Sequence, residues 1–176
     1  EIRPLATGIT AIGSRRGHSS GQYNPFAALL RQGTTETQGE VLAMSLVYSG
    51  NFEMLAEVDN HGVTRLQAGI HSTDFDWKLE PGAEFQIPEA VLVWSDAGLN
   101  GMSQTYHRLY QKRLVRGQWR EKVRPILINN WEATYFDFTE EKLLTIADKA
   151  AECGIELFVL DDGWFGARTS DYAGLG

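Results

Sequence analysis

Arg124-Pro125-Ile126-Leu127-Ile128-Asn129-Asn130-Trp131-Glu132 and, further on, Ile155-Glu156-Leu157-Phe158-Val159-Leu160-Asp161-Asp162-Gly163-Trp164-Phe165-Gly166 frame the stretch that decides the fold. Each is a short apolar run that breaks into polar and aromatic residues, and helical signals lie between them. Thr139 can cap, Glu140 and Glu141 sit in a first turn where the helix dipole favours anions, and Gly154 can supply a left-handed stop. Leu143, Ala147, Ala150 and Ala151 make an apolar stripe small enough for close packing on a sheet. Strand, helix, strand of this length is a βα unit feeding a parallel neighbour, in a barrel or a doubly wound sheet. A closed (β/α)8 barrel takes about 250 residues, so in the 52 residues after Arg124 any barrel is interrupted after its second strand.

Upstream the texture differs. From Leu5 to about Asp96, short apolar runs alternate with turn residues at spacings that predict six or seven antiparallel strands, most of a sandwich. In Phe52-Glu53-Met54-Leu55-Ala56-Glu57-Val58, Phe52, Met54, Ala56 and Val58 share one face and the two glutamates fall on the other, the period of a half-buried strand. Ser49-Gly50-Asn51 before it and Asp59-Asn60-His61-Gly62 after it both read as hairpin loops. After Asp96-Ala97-Gly98, Met102, Tyr106, Leu109 and the stem of Arg113 fall on one face of a connecting helix over 101–115. The expected organisation is a β-sandwich part at 1–97, a linker helix at 98–122 and the start of a barrel at 123–176.

Composition bounds the function. Sixteen basic against 23 acidic residues give a net charge of −7, which repels phosphate backbones, so nucleic acid is excluded as a partner. No apolar run approaches the roughly 20 residues of a membrane helix. The single cysteine, Cys153, has no intrachain partner and reads as a small apolar filler, and the four histidines lack metal spacing. Neither a cofactor nor a metal is expected. Both ends read as cut inside structured sequence, so a missing leader says little and a cytoplasmic address is only the default expectation. Taken alone, the stretch is expected to expose strand edges and apolar faces and to aggregate.

Ligands in parallel α/β folds gather at the carboxyl ends of strands, here Asn129-Asn130-Trp131-Glu132 and Asp161-Asp162-Gly163-Trp164. Carboxylates accept hydrogen bonds from paired hydroxyls, and an indole offers a flat wall to the C–H face of a sugar ring, so Asp with Trp suits a pyranose. Other readings stay open: either aspartate can cap the following turn, Trp131 and Trp164 can be packing aromatics, and a divalent metal between the aspartates lacks an evident third ligand. Arg15-Arg16-Gly17-His18-Ser19-Ser20 reads as an exposed loop or subunit contact before an anion site, and Asp137 as support for the helix start.

Asn129-Asn130-Trp131-Glu132-Ala133, Tyr135-Phe136-Asp137-Phe138 and Leu160-Asp161-Asp162-Gly163-Trp164-Phe165-Gly166 together resemble glycoside hydrolase family 36, the bacterial α-galactosidase group. Ser14-Arg15-Arg16-Gly17, Ser19-Ser20 and Asn24-Pro25-Phe26 resemble that group's N-terminal β-domain, so the resemblance spans nearly the whole chain. It implies a β-domain of supersandwich type, a linking helix and a (β/α)8 catalytic barrel. It also implies retaining hydrolysis of terminal α-galactosyl groups of melibiose- or raffinose-type sugars by a homo-oligomer without metal or organic cofactor. By the same resemblance Asp161 and Asp162 bind galactose hydroxyls and Trp131 walls the pocket, with Trp164 and Asn130 as pocket support. The nucleophile and the acid/base fall on later strands, so no residue here is expected to be catalytic. A raffinose-synthase-like galactosyltransferase, an α-N-acetylgalactosaminidase, and, from another class, a carbohydrate-binding or assembly module are the competing readings.

Overall fold

The alternation of Phe52–Val58 is realised as a strand with Phe52 and Met54 buried, in a computed structural model that describes residues 2–19, 21–73 and 75–174. Ser20, from the basic loop noted above, lies outside the described residues. The chain separates into two compact units, Glu1–Leu114 and Val115–Gly176.

Six strands of the first unit form two antiparallel sheets. One orders β1 (Gly8–Ser14), β4 (Phe52–Val58) and β5 (Thr64–Ile70) as β1-β4-β5; the other orders β2 (Phe26–Leu30), β3 (Val41–Val47) and β6 (Glu89–Ser95) as β2-β3-β6. Asp59-Asn60-His61-Gly62 is the expected hairpin loop, closed by Asp59 Oδ1 accepting from the amides of His61 (2.8 Å) and Val63 (2.9 Å). Ser49-Gly50-Asn51 is not a hairpin loop. Both edges of β3 are taken by β2 and β6, and β4 pairs with β1 and β5, so this turn moves the chain from one sheet to the other. The physical reason is burial: Leu46 meets Phe52 and Met54 face to face in one cluster, which edge pairing would not allow. Burying a side chain such as Phe52 or Met54 contributes about 1.5–3 kcal/mol.

The opposite face of β3 buries Val41 and Ala43, with Val93 of β6, against Met102 and Tyr106 of helix α1 (Gly98–Leu109). This helix begins before the expected 101 and ends before 115, passing into a π turn over Tyr110–Leu114. Its early start has a tertiary cause. The amides of Gly98, Leu99 and Asn100 donate to the carbonyls of Gly39, Thr35 and Glu36, which satisfy the first turn without a side-chain cap. Arg113 lies in the π turn and is exposed, off the buried face. Tyr106 donates its hydroxyl to the Val91 carbonyl at 2.9 Å and meets Phe26 edge to face at 5.8 Å.

The second unit runs β7 (Leu127–Asn129), a single turn α2 (Trp131–Thr134), α3 (Glu140–Glu152) and β8 (Leu157–Val159), with β7 and β8 parallel. Thr139 caps α3 by accepting from the Lys142 amide at 3.3 Å, and Asp137 supports that start through an ion pair with Lys142 at 2.9 Å. The inward stripe is Leu143, Ile146, Ala147 and Ala150; Ala151 is exposed, one position off that face. Cys153 is also exposed, because it forms the solvent-facing C-cap and not a packing position. Antiparallel sheets, then a helix, then the opening βαβ of a parallel sheet is the order of elements expected from the sequence. Among the described residues no helix is long and apolar enough to cross a membrane.

Candidate sugar-binding site

Parallel pairing sets Leu127 beside Leu157 and Asn129 beside Val159, so the carboxyl ends of β7 and β8 deliver their polar residues to one edge. Asn129 Nδ2 donates to Asp161 Oδ2 at 2.7 Å. Asn130, 0% exposed, accepts from the Asp161 amide at 2.9 Å and donates from Nδ2 to Thr134 Oγ1 at 2.9 Å. Such a buried amide is kept by its satisfied hydrogen bonds. The two asparagines thus hold Asp161 by its side chain and its backbone respectively. Neither asparagine's role against Asp161 is visible in the sequence beyond their place after the strand.

Each aspartate also bonds the amide that follows it: Asp161 Oδ1 accepts from Asp162 at 2.8 Å, and Asp162 Oδ1 from Gly163 at 2.7 Å. Turn support and ligand binding are compatible, since an ionised carboxylate offers about four acceptor positions. Gly163 takes φ +92°, and a Cβ there would stand 3.0 Å from Phe136 and 3.1 Å from Phe138, so the bend after Asp162 depends on glycine.

Arg168, which sequence reasoning missed, grips Asp162 from Nε at 2.9 and 3.0 Å and from Nη2 at 2.6 Å. Hydrogen bonding from Arg168 holds the Asp162 carboxyl below its ordinary value against the opposing effect of desolvation, and the Gly163 amide and the Arg168 charge add to the lowering. One signal was present: Arg168 is the sole basic residue from 150 to 176, in a segment that also holds Glu152, Glu156, Asp161, Asp162 and Asp171.

Trp131 is half-buried and meets Tyr135 and Phe136 edge to face at 5.4 and 4.9 Å. Tyr135 has φ +48°, a strained value for a residue with a side chain, directly after α2. Trp164 is 63% exposed and touches Phe165 at 5.3 Å. The edge therefore combines two carboxylates with exposed aromatic surface, the chemistry that accepts hydroxyls and stacks on a sugar ring. Among the described residues no group of three or more His, Cys, Asp or Glu side chains is placed to hold a metal ion.

An open cleft of about 380 Å³ in the first unit is lined in part by Arg15, Arg16, Tyr23, Glu53 and His71. Its basic loop is tied down, with the Gly17 amide donating to Asn51 at 2.6 Å and Ser14 Oγ to the His18 carbonyl at 2.6 Å. The cleft shares no residue with the strand-end cluster, and the two adjacent carboxylates at the end of β8, not cleft size, single out the latter.

A melibiase family model matches residues 84–176, and a model of the glycosyl hydrolase family 36 N-terminal domain matches residues 1–80. Alpha-galactosidase AgaA of Geobacillus stearothermophilus is 61% identical over 176 residues, 100% of this chain and 24% of AgaA. Alpha-galactosidase Mel36A of Lactobacillus acidophilus is 50% identical over 172 residues, 98% of this chain and 24% of that protein. The crystal structure of AgaA superposes with a TM-score of 0.91 at 61% identity, covering 99% of this chain and 24% of that one, and AgaA variants have been solved with stachyose and with raffinose. The chain spans about a quarter of the length of these relatives.

Proposed function

Because the chain belongs to glycoside hydrolase family 36, we propose that the whole protein is an α-galactosidase that hydrolyses terminal α-galactosyl groups of melibiose- and raffinose-type sugars with retention. The observation that supports this best is the pair Asp161-Asp162 at the carboxyl end of β8, set by Asn129 and Asn130 from the end of β7. In this reading Asp161 and Asp162 accept hydrogen bonds from galactose hydroxyls, Trp131 walls the ring, and Trp164 and Asn130 support the pocket. Galactose differs from glucose in its axial 4-hydroxyl, and acceptors fixed for that group discriminate strongly.

Retention requires two carboxyl groups about 5–5.5 Å apart. One attacks the anomeric carbon while the other protonates the departing glycosidic oxygen; the second then deprotonates a water that releases galactose from the ester. The reading assigns neither role to any of these 176 residues and needs no metal or organic cofactor. It has the enzyme working as a cytoplasmic homo-oligomer, which size-exclusion chromatography and cell fractionation would check.

The test is galactose release from melibiose by the product of the full-length reading frame and by its Asp162→Asn variant. The parent is expected to release galactose, and the variant, folded to the same extent, to lose at least about a hundredfold in kcat/KM. A folded parent that releases none would make transfer to an acceptor, or a different sugar, the better account.

A further inference from the structure

Asp162 and its partner are unequally placed: the Asp162 side chain is 25% exposed, while that of Arg168 is 6% exposed. The cation lies beneath and the anion reaches the surface. Arg168 also does more than pair. Its Nη1 donates to the carbonyls of Ser170 at 2.6 Å and Ala173 at 3.0 Å, and its guanidinium carbon stands 5.3 Å from the centre of the Phe136 ring. One side chain thus ties Asp162, the 170–173 loop and the segment after α2 together. A lysine has the charge but not the planar fork needed to do this.

We propose that Arg168 is a positioning residue for sugar binding, which fixes the Asp162 carboxylate in one orientation at the end of β8 so that it meets a galactosyl hydroxyl already aligned. The inference rests on the galactose reading of the strand-end pair. Its physical basis is preorganisation: a bidentate, buried donor removes the rotamer freedom that Asp162 would otherwise lose on binding, and it keeps that carboxylate an acceptor. The Asp162 carboxyl held below its ordinary value by Arg168 agrees with this arrangement. A purely structural ion pair would leave sugar affinity untouched once the protein is folded.

In the full-length enzyme, Arg168→Lys should raise both KM for melibiose and the inhibition constant of galactose by about tenfold to a hundredfold, with kcat falling less. Combining it with Asp162→Asn should add little to the loss from Asp162→Asn alone, because Arg168 acts through that carboxylate. Phe136→Leu removes the ring beside the guanidinium but not the ion pair, and serves if Arg168→Lys does not fold; it should raise the inhibition constant severalfold. Galactose affinity unchanged in the folded variants, or losses that multiply in the double variant, would overturn the inference while leaving an active parent as an α-galactosidase. A parent that neither binds galactose nor cleaves melibiose would overturn the sugar reading and the inference with it.

Discussion

Gly163 holds φ +92° with two aromatic rings at the position of an absent Cβ. Gly163→Ala should therefore destabilise the second unit by about 1–3 kcal/mol, measured as a lower urea midpoint; an unchanged midpoint would mean that the bend tolerates a side chain. Asp162 makes a pH-dependent contribution of known sign. Its folded-state pKa is lowered, so its stabilising effect is present above the ordinary carboxylate value of about 4 and is lost as pH falls through the folded value. Urea midpoints of parent and Asp162→Asn should converge as pH drops below about 4, whereas a constant gap would contradict the ion-pair account. At this scale the strand-end placement of Asp161 and Asp162 and the bend at Gly163 are legible in the sequence, because strand ends and glycine turns are local signals. Arg168 was not legible as Asp162's partner, since a fork closing over six residues depends on how the 169–174 loop folds back.

Tyr106 links helix α1 to β6 through its bond to the Val91 carbonyl. Burial, followed by repulsion from Tyr110, pushes its phenol up to about 12. The neutral phenol is favoured in the fold, so its contribution is complete below the ordinary tyrosine value of about 10 and is lost as pH rises through about 12. Tyr106→Phe should lose stability at neutral pH yet flatten the decline above pH 10, read from thermal midpoints against pH. A Phe52→Ala change should cost about 3–5 kcal/mol by opening a cavity between the two sheets, and a loss below about 1 kcal/mol would show that the sheets do not pack there. Strand existence and type were plain from alternation, and the α3 cap from Thr139 and its glutamates. The Ser49-Gly50-Asn51 turn was misread because turn residues announce a change of direction, not which sheet receives the next strand. The start of α1 was misplaced because carbonyls of the 35–39 loop, distant in sequence, supply its cap.

Apolar strand residues remain uncovered in both units: Leu42, Leu92 and Trp94 in the first, Leu127, Leu157 and Val159 in the second. The 176-residue chain produced by itself should self-associate in sedimentation velocity, and a monodisperse, cooperatively unfolding monomer would contradict that expectation. The chain spans 24% of its relatives' length, and the proposed reading gives it residues that bind sugar but none that cleave the bond. Asp161 and Asp162 are proposed to read the hydroxyls of a terminal galactose in a hydrolase. The most direct measurement is kcat/KM of the full-length protein for melibiose against isomaltose, which presents glucose in place of galactose. A preference for melibiose of about 10⁴-fold or more is expected, collapsing in a folded Asp161→Ala variant. Comparable rates on the two sugars, or a preference that survives Asp161→Ala, would contradict it.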